Sequence, residues 1–440
     1  MNYIMRIFIY ILISLLLISC MNSQLPSRPK DLTHETWQRS ITTTSAQWTT
    51  GADHWFYTGD PNGTEKINRQ APDSVGMSTT VVRVSDFTTI KTDGAYQLQL
   101  FGTDDRNSVY INGPNVAVNA VSVSIQDDTL VIRQTNKEIS NSLMNGVIVR
   151  VGVNQLHKLI QKGCGTVEAI RIQSDHLAIT STATAMGNVY LIGNVNLKRI
   201  VLNGTGSVTV LGASSPNLVI HTKGSGAVNV KGNVGIQSIV HHGQSDINIL
   251  GANSNKLDID ADGAGKISIK GIVKLNHLTA KDDVCIYIDE VRSQCVEANL
   301  SGNVRVGLKG LTKDLYVNTI GTSIFWGRYL CSRNAYVTAC NQSHINVAAC
   351  GKIFASAVDQ ASVYFYGPSN ILSEFTKDEG SVIAMGDQTW CTYGTESRSY
   401  SYTDAHKGEA VAVYQEVDLS ARYPSHRHSS KRANAMNYIK

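Results

Sequence analysis

The chain has 440 residues, 42% of them hydrophobic and 17% charged, which is too apolar for general disorder and long enough for one elongated domain or two or three compact ones. A formal charge of +4 spread over that length makes no concentrated basic face, so no nucleic-acid partner is expected. Glycine at 36 against proline at 8 points to recurring bends in a backbone whose ladder hydrogen bonds are seldom interrupted; between Asn115 and Gly367 the only proline is Pro216.

At the N-terminus, Arg6 precedes an apolar run from Ile7 to Ile18, broken only by Ser14. About twelve residues at about 1.5 Å each fall short of a hydrocarbon core of roughly 30 Å, so residues 1–19 read as a cleaved secretory signal and not as a permanent span. The ending Leu17-Ile18-Ser19-Cys20 resembles the bacterial lipobox, in which a small residue precedes a cysteine that is lipidated and becomes the mature N-terminus. Cys20 is therefore the expected lipid anchor and the contact with the membrane, and several acyl chains make such attachment stable. Met21 is not the aspartate that usually retains lipoproteins in the inner membrane, so an outer-membrane location, facing the periplasm or the surface, is expected. Residues 20–80, rich in Ser, Thr, Gly, Asn and Pro and carrying Trp37, Trp48 and Trp55, read as anchor, tether and N-terminal cap.

From Val81 the pattern changes to short alternating runs such as Val121-Ser122-Val123-Ser124-Ile125 and Leu130-Val131-Ile132, which predict strands. An internal repeat then emerges. Gly204-Thr205-Gly206-Ser207-Val208-Thr209-Val210 aligns with Gly224-Ser225-Gly226-Ala227-Val228-Asn229-Val230, then with the segments that begin at Gly243 and Gly263, at spacings of 20, 19 and 20. Ile200, Ile220, Ile239 and Ile259 each precede a leading glycine by four residues, and Gly212, Gly232, Gly251 and Gly271 follow the strands. The register extends back to Leu159 and Val167, and forward through the expected inward pairs Ile286/Ile288, Val304/Val306, Ile324/Trp326, Ile345/Val347, Val363/Phe365 and Val382/Ala384. A unit this short cannot bury its own apolar face and must stack on copies of itself. The expected fold is all-β: a parallel β-helix (β-solenoid) of about twelve turns with a repeat of about 20 residues over 81–390, its rungs about 4.8 Å apart, followed over 391–440 by a C-terminal cap and a basic mobile tail.

On these residues the chain resembles the GIN-domain family, named for autotransporter adhesin heads. The likeness rests on Phe87-Thr88-Thr89-Ile90, Asp127-Asp128-Thr129-Leu130-Val131-Ile132, Gly146-Val147-Ile148-Val149-Arg150-Val151 and Leu156-His157-Lys158-Leu159 before Gly163-Cys164-Gly165, followed by the Gly-x-Gly-x-Val-x-Val units. It covers roughly residues 81–390, and after Gly310 glycines thin out while aromatics and cysteines multiply. The resemblance implies a right-handed parallel β-helix on an exported or lipidated bacterial protein with an adhesive role. It brings no catalytic or binding residues.

Seven cysteines remain after Cys20. Cys331 and Cys350, 19 apart, would stack on neighbouring turns, within the roughly 4.4–6.8 Å Cα window of a disulfide; buried free thiols are the alternative. No Cys-x-x-Cys suggests a zinc ribbon. His221, His241 and His242 fall in different columns: His242 with Lys223, Asp262 and Lys281, and His221 with Val240 and Asp260. They read as cross-rung charge pairing on a solvated wall, and Asp258, Asp260 and Asp262 do not match a calcium-binding nonapeptide repeat. No metal site, catalytic group or cofactor is expected.

The outward column beside the second strand is read as Tyr190, Thr209, Asn229, Asn248, Ser268, Tyr287, Arg305, Phe325, Asn346, Tyr364. Its aromatic end, Phe325 and Tyr364 with nearby Tyr366, is the expected exposed binding patch, the alternative being burial under the C-terminal segment. The functional expectation is a non-enzymatic, outer-membrane-anchored adhesin or binder of envelope polysaccharide or protein. A polysaccharide lyase or glycosidase and a purely structural envelope spacer are the alternatives.

Overall fold

A computed structural model of the chain describes residues 76–103, 108–182 and 187–386, all within one compact unit that begins at Glu65. The lipobox with Cys20, the tryptophan-bearing segment before residue 76 and the basic tail lie outside the described residues. The strands in chain order are β1 (Met77–Arg83), β2 (Thr89–Asp93), β3 (Gln97–Gly102), β4 (Ser108–Pro114), β5 (Val121–Gln126), β6 (Thr129–Gln134), β7 (Ile148–Val153), β8 (Lys158–Lys162) and β9 (Val167–Ser181). They continue as β10 (Val189–Leu202), β11 (Ser207–Gly224), β12 (Ala227–Gly243), β13 (Asp246–Gly302), β14 (Arg305–Gly321), β15 (Ile324–Ala339), β16 (His344–Val358), β17 (Ser362–Tyr366), β18 (Leu372–Lys377) and β19 (Ser381–Ala384). Two α-helical turns, α1 (Asn115–Val118) and α2 (Asn141–Met144), and a 3-10 turn over Ser369–Ile371 complete the elements of the described residues.

These strands form stacked parallel coils, a β-solenoid of about 11 turns. From β9 onward each long strand pairs in parallel with the next. The isoleucines of the repeat pair as Ile200↔Ile220, Ile220↔Ile239 and Ile239↔Ile259, all buried. Val208 and Val210 are likewise buried and pair with Val228 and Val230. Alternation turns every second residue inward, so one continuous aliphatic core fills the coil axis.

From β9 to β16 the coils carry a third short ladder that a two-strand repeat leaves out. Between β11 and β12 it comprises Ala213↔Gly232, Ser214↔Asn233 and Ser215↔Val234, set off by register shifts on either side. The bends before it need glycine. Gly251 has φ +94°, and a Cβ there would lie 1.9 Å from the Gly232 carbonyl oxygen of the coil below. At the far side of this ladder buried hydroxyls bond to backbone carbonyls: Ser174 Oγ donates to Leu156 O at 2.6 Å, and Ser293 Oγ to Leu275 O at 2.7 Å. A bend that shifts the ladder leaves carbonyls without N–H partners, and a buried serine supplies them.

The N-terminal end is not built in chain order. β2 lies between β6 and β8, and β3 between β7 and β9, so the coil containing β2 and β3 is sandwiched between one formed later in the chain and the body of the solenoid. The outer coil is covered by antiparallel strands, β5 on β6 and β4 on β7, with β1 on β4. Antiparallel cover of this kind stops a parallel edge from templating another chain. Buried Tyr96 ties the layers, its hydroxyl donating to Ile132 O at 2.7 Å.

The expected register fails by one residue at Ile324–Trp326 and holds again at Ile345/Val347 and Val363/Phe365. The ladder runs Ile286↔Val306↔Phe325↔Ile345↔Val363 inward and Tyr287↔Gly307↔Trp326↔Asn346↔Tyr364 outward. Phe325 is therefore fully buried and Trp326 is 39% exposed, the reverse of the expectation, and Arg305 leaves the outward column in favour of Gly307. The cause is compositional: with Ile324, Phe325 and Trp326 consecutive, alternation alone cannot tell which residue faces in. Phe325→Ala should lower stability by about 3–5 kcal/mol through the cavity left in the core, and Trp326→Ala by less than half of that. Equilibrium denaturation of the two variants checks the order.

Candidate binding surface

A column of aromatic rings stands on the outer face of the second ladder of each coil, the one that carries Ile220 and Ile239 further down the stack. Tyr316 on β14 pairs with Tyr336 on β15, which pairs with Phe354 on β16. Because parallel in-register strands place equivalent side chains directly above one another, the rings stack. The Tyr316 and Tyr336 centroids are 4.8 Å apart with planes 8° from parallel, and those of Tyr336 and Phe354 are 5.4 Å apart at 6°. Below the stack stands Glu297, in register with Tyr316. It is held by His277 Nδ1 at 3.2 Å and by Asn299 Nδ2, which donates to it at 3.0 Å. Above it the column ends in Ser373, so the outermost ring, Phe354, is 48% exposed.

Two positions along each strand runs a second outward column, Asn318, Thr338, Ser356 and Phe375. Its first three members are short and polar, and its last is a ring 59% exposed. A groove of about 300 Å³ lies between the columns, with Tyr316, Tyr336 and Phe354 along one side and Phe375 and Glu374 at its end. Asn318 is oriented by donating to Asn299 Oδ1 at 2.9 Å, whereas the Thr338 and Ser356 hydroxyls have no hydrogen-bond partner among the described residues. Desolvation, together with the neighbouring Tyr336 and Asp314, holds the Tyr316 hydroxyl above the ordinary phenol range.

The expected patch of Phe325, Tyr364 and Tyr366 is not formed. Phe325 lies in the core. Tyr366 is buried in a small satellite cluster with Cys331 and Ala348, and Tyr364 packs at its edge. The Arg328 guanidinium sits 4.7 Å from the Tyr366 ring centroid. On the outward column Tyr287 and Trp326 lean together over Gly307, with centroids 6.3 Å apart. The rings that do make a surface lie on a different ladder from the Val-x-Val strands, so the alternation of those strands gives no sign of them. Their own spacings, 20 from Tyr316 to Tyr336 and 18 from Tyr336 to Phe354, carried the signal.

The expected Cys331–Cys350 bridge is also absent. Cys331 is disulfide-bonded, but Cys350 is a free thiol. A register shift between Gly327 and Cys331 places Cys331 opposite Ala348, so a count of 19 residues does not bring the two sulfurs together. The three histidines of the repeat are separated as expected. His241 is buried, its Nδ1 bonded to Thr222 Oγ1 at 2.8 Å and its Nε2 to Ala264 O at 2.9 Å. His242 pairs outside with Asp262 at 2.8 Å. His221 also faces outward, and desolvation together with the Arg199 and His242 charges lowers its pKa.

Residues 86–276 match the family described as "Putative auto-transporter adhesin, head GIN domain". Solved structures similar to the chain include a "putative adhesin" from Bacteroides fragilis NCTC 9343, 14% identical, covering 71% of this chain and 96% of that one at a TM-score of 0.22. Another is a "putative adhesin" from Parabacteroides distasonis ATCC 8503, 12% identical, covering 71% and 95% at 0.23. A "Putative lipid binding protein" from the same organism is 14% identical, covering 71% and 96% at 0.22. No curated protein matches the chain. The ring column lies beyond the matched residues, on the turns where the chain departs from the glycine-rich pattern. Among the described residues no helix is long and apolar enough to cross a membrane.

The stack itself is measurable. A double-mutant cycle over Tyr336→Ala and Phe354→Ala should give a coupling of about 0.5–1.5 kcal/mol; additive losses would mean that the rings do not touch.

Proposed function

We propose that the chain is a non-enzymatic, adhesin-like lipoprotein, anchored in the outer membrane through Cys20, whose solenoid binds envelope or surface polysaccharide in the groove beside Tyr316, Tyr336 and Phe354. The observation that carries this reading is the pairing of two surfaces at one place: a column of aromatic carbon and a parallel row of hydroxyl and amide groups, Asn318, Thr338 and Ser356. A sugar ring is amphipathic in the same way. Its C–H faces favour aromatic carbon, and its hydroxyls need donors and acceptors at the rim. Phe375 at the groove's end offers a ring for stacking, and the Glu374 carboxylate beside it can accept from two adjacent hydroxyls. Because the same pair of columns recurs rung after rung, the groove suits a repeating ligand better than a single small molecule. Protein and membrane-associated ligands lack that periodic demand for hydroxyl pairing.

Anchoring rests on the lipobox-like ending before Cys20 and on the apolar run that precedes it. In a glycan array with the purified protein, Phe354→Ala combined with Phe375→Ala should reduce polysaccharide binding about tenfold or more, with the fold retained by circular dichroism. Binding at full strength by that variant would remove the groove from the account. Separately, Cys20→Ser should abolish incorporation of a fatty-acid label and release the protein from the membrane fraction; a labelled, membrane-bound variant would disprove the anchor.

A further inference from the structure

Near the N-terminal end of the solenoid, away from the ring column, His157, Asp175 and His176 come together with their ligand atoms within 4.8 Å of one another. His157 immediately precedes the short strand β8, and its backbone is fixed on both sides: its N–H donates to Thr88 O at 2.8 Å, and its carbonyl accepts from Ala178 N at 2.9 Å. Asp175 and His176 lie at the bend of the next coil. Buried Ser174 clamps that bend to the coil below, donating through Oγ to Leu156 O at 2.6 Å and accepting from His176 N at 3.3 Å. Two consecutive coils are thereby tied so that their imidazoles stack, with centroids 3.8 Å apart and planes at 30°.

Both rings turn a nitrogen toward the same carboxylate oxygen. Asp175 Oδ1 is 2.6 Å from His176 Nδ1 and 3.5 Å from His157 Nε2. Donors that share a tetrahedral ion at about 2.0–2.1 Å stand about 3.3 Å apart, and the two observed separations lie on either side of that value. One rung further, Asn196 lies opposite the bend, between the pairs Val195↔Ser174 and Leu197↔Leu177. Its Oδ1 is buried with no hydrogen-bond partner among the described residues.

We propose that His157, Asp175 and His176 form a surface site for a divalent borderline transition-metal ion such as zinc. Two imidazoles and one carboxylate are a donor set that such ions favour over calcium or magnesium. The backbone ladder already holds the ligands of both coils in place, so an ion has to displace only the hydrogen between His176 Nδ1 and Asp175 Oδ1 and the 3.3 Å contact of His157 Nε2 with Gln155 Oε1. The partial exposure of all three side chains, 29%, 66% and 49% for His157, Asp175 and His176, leaves the remaining coordination positions to water. A bound ion would join the coil of β8 to that of β9 and so stabilise the junction between the capped N-terminal turns and the regular repeat.

The detergent-solubilised full chain is titrated with zinc chloride by calorimetry. His157→Ala combined with His176→Ala should bind one equivalent fewer than the wild type, and Asp175→Asn, which keeps both rings, should weaken that equivalent about tenfold or more. His277→Ala should change neither. Comparison by difference keeps the remaining histidines of the chain from confusing the result, and Asp175→Asn decides the matter if the double variant does not fold. The same stoichiometry and affinity in the wild type and the folded variants would overturn the site, as would the absence of any zinc binding by the wild type.

Discussion

The structure depends on one constraint: a coil of about 20 residues has an apolar face it cannot cover alone, and only an equivalent coil in register can cover it. Ile239 shows what this means. It has Ile220 below and Ile259 above, so its burial is a property of the stack and not of its own segment. The hydrogen bonds of the ladder impose the same alignment on the backbone, and a slip of one residue would turn every inward side chain out. Side-chain packing and main-chain pairing therefore demand a single register, which is why the outer columns are as regular as the core.

That regularity has costs at bends and ends, and the sequence meets them with particular residues. The bend at Gly251 brings backbone against backbone closely enough to exclude a Cβ. Buried Ser174 and Ser293 satisfy carbonyls that the shifted ladder leaves behind. His241, in an inward position, is tolerated because both ring nitrogens are bonded. At the N-terminal end, antiparallel β4 and β5 cover the outermost coil, turning an open parallel edge into a closed one.

The repeat, the parallel solenoid and the inward isoleucines were legible in the sequence because glycine spacing and alternation both report directly on coil geometry. The third ladder was not, since Ala213, Ser214 and Ser215 carry no alternating pattern. Nor was the sandwiching of β2 between β6 and β8, because chain order gives no sign of a later segment returning outside an earlier one. Register was lost where Ile324, Phe325 and Trp326 follow one another and hydrophobicity ceases to distinguish inside from outside. The slip is confined to that run, since Asn346 and Tyr364 stand in the outward column as expected, but it removed Phe325 from the surface and the supposed patch went with it. Tyr316, Tyr336 and Phe354 were recoverable by following the ladder of Ile220 and Ile239, whereas the meeting of His157 with His176 requires knowing that the bends of consecutive coils coincide.

A solenoid turns sequence repetition into spatial repetition, so a ring placed at one position in three successive coils becomes a continuous surface, and the groove beside it follows from the same register that builds the core. The stacking order is tested most directly by a distance along the axis. Nitroxide labels attached through Tyr287→Cys and Tyr364→Cys, in a Cys295→Ser background, would sit on one outward column four rungs apart through Gly307, Trp326 and Asn346. Pulsed electron–electron resonance should then give a single peak near 19 Å, at about 4.8 Å per rung, broadened by the label tethers. A distribution without that peak, or one centred beyond about 30 Å on the same rung spacing, would contradict in-register stacking.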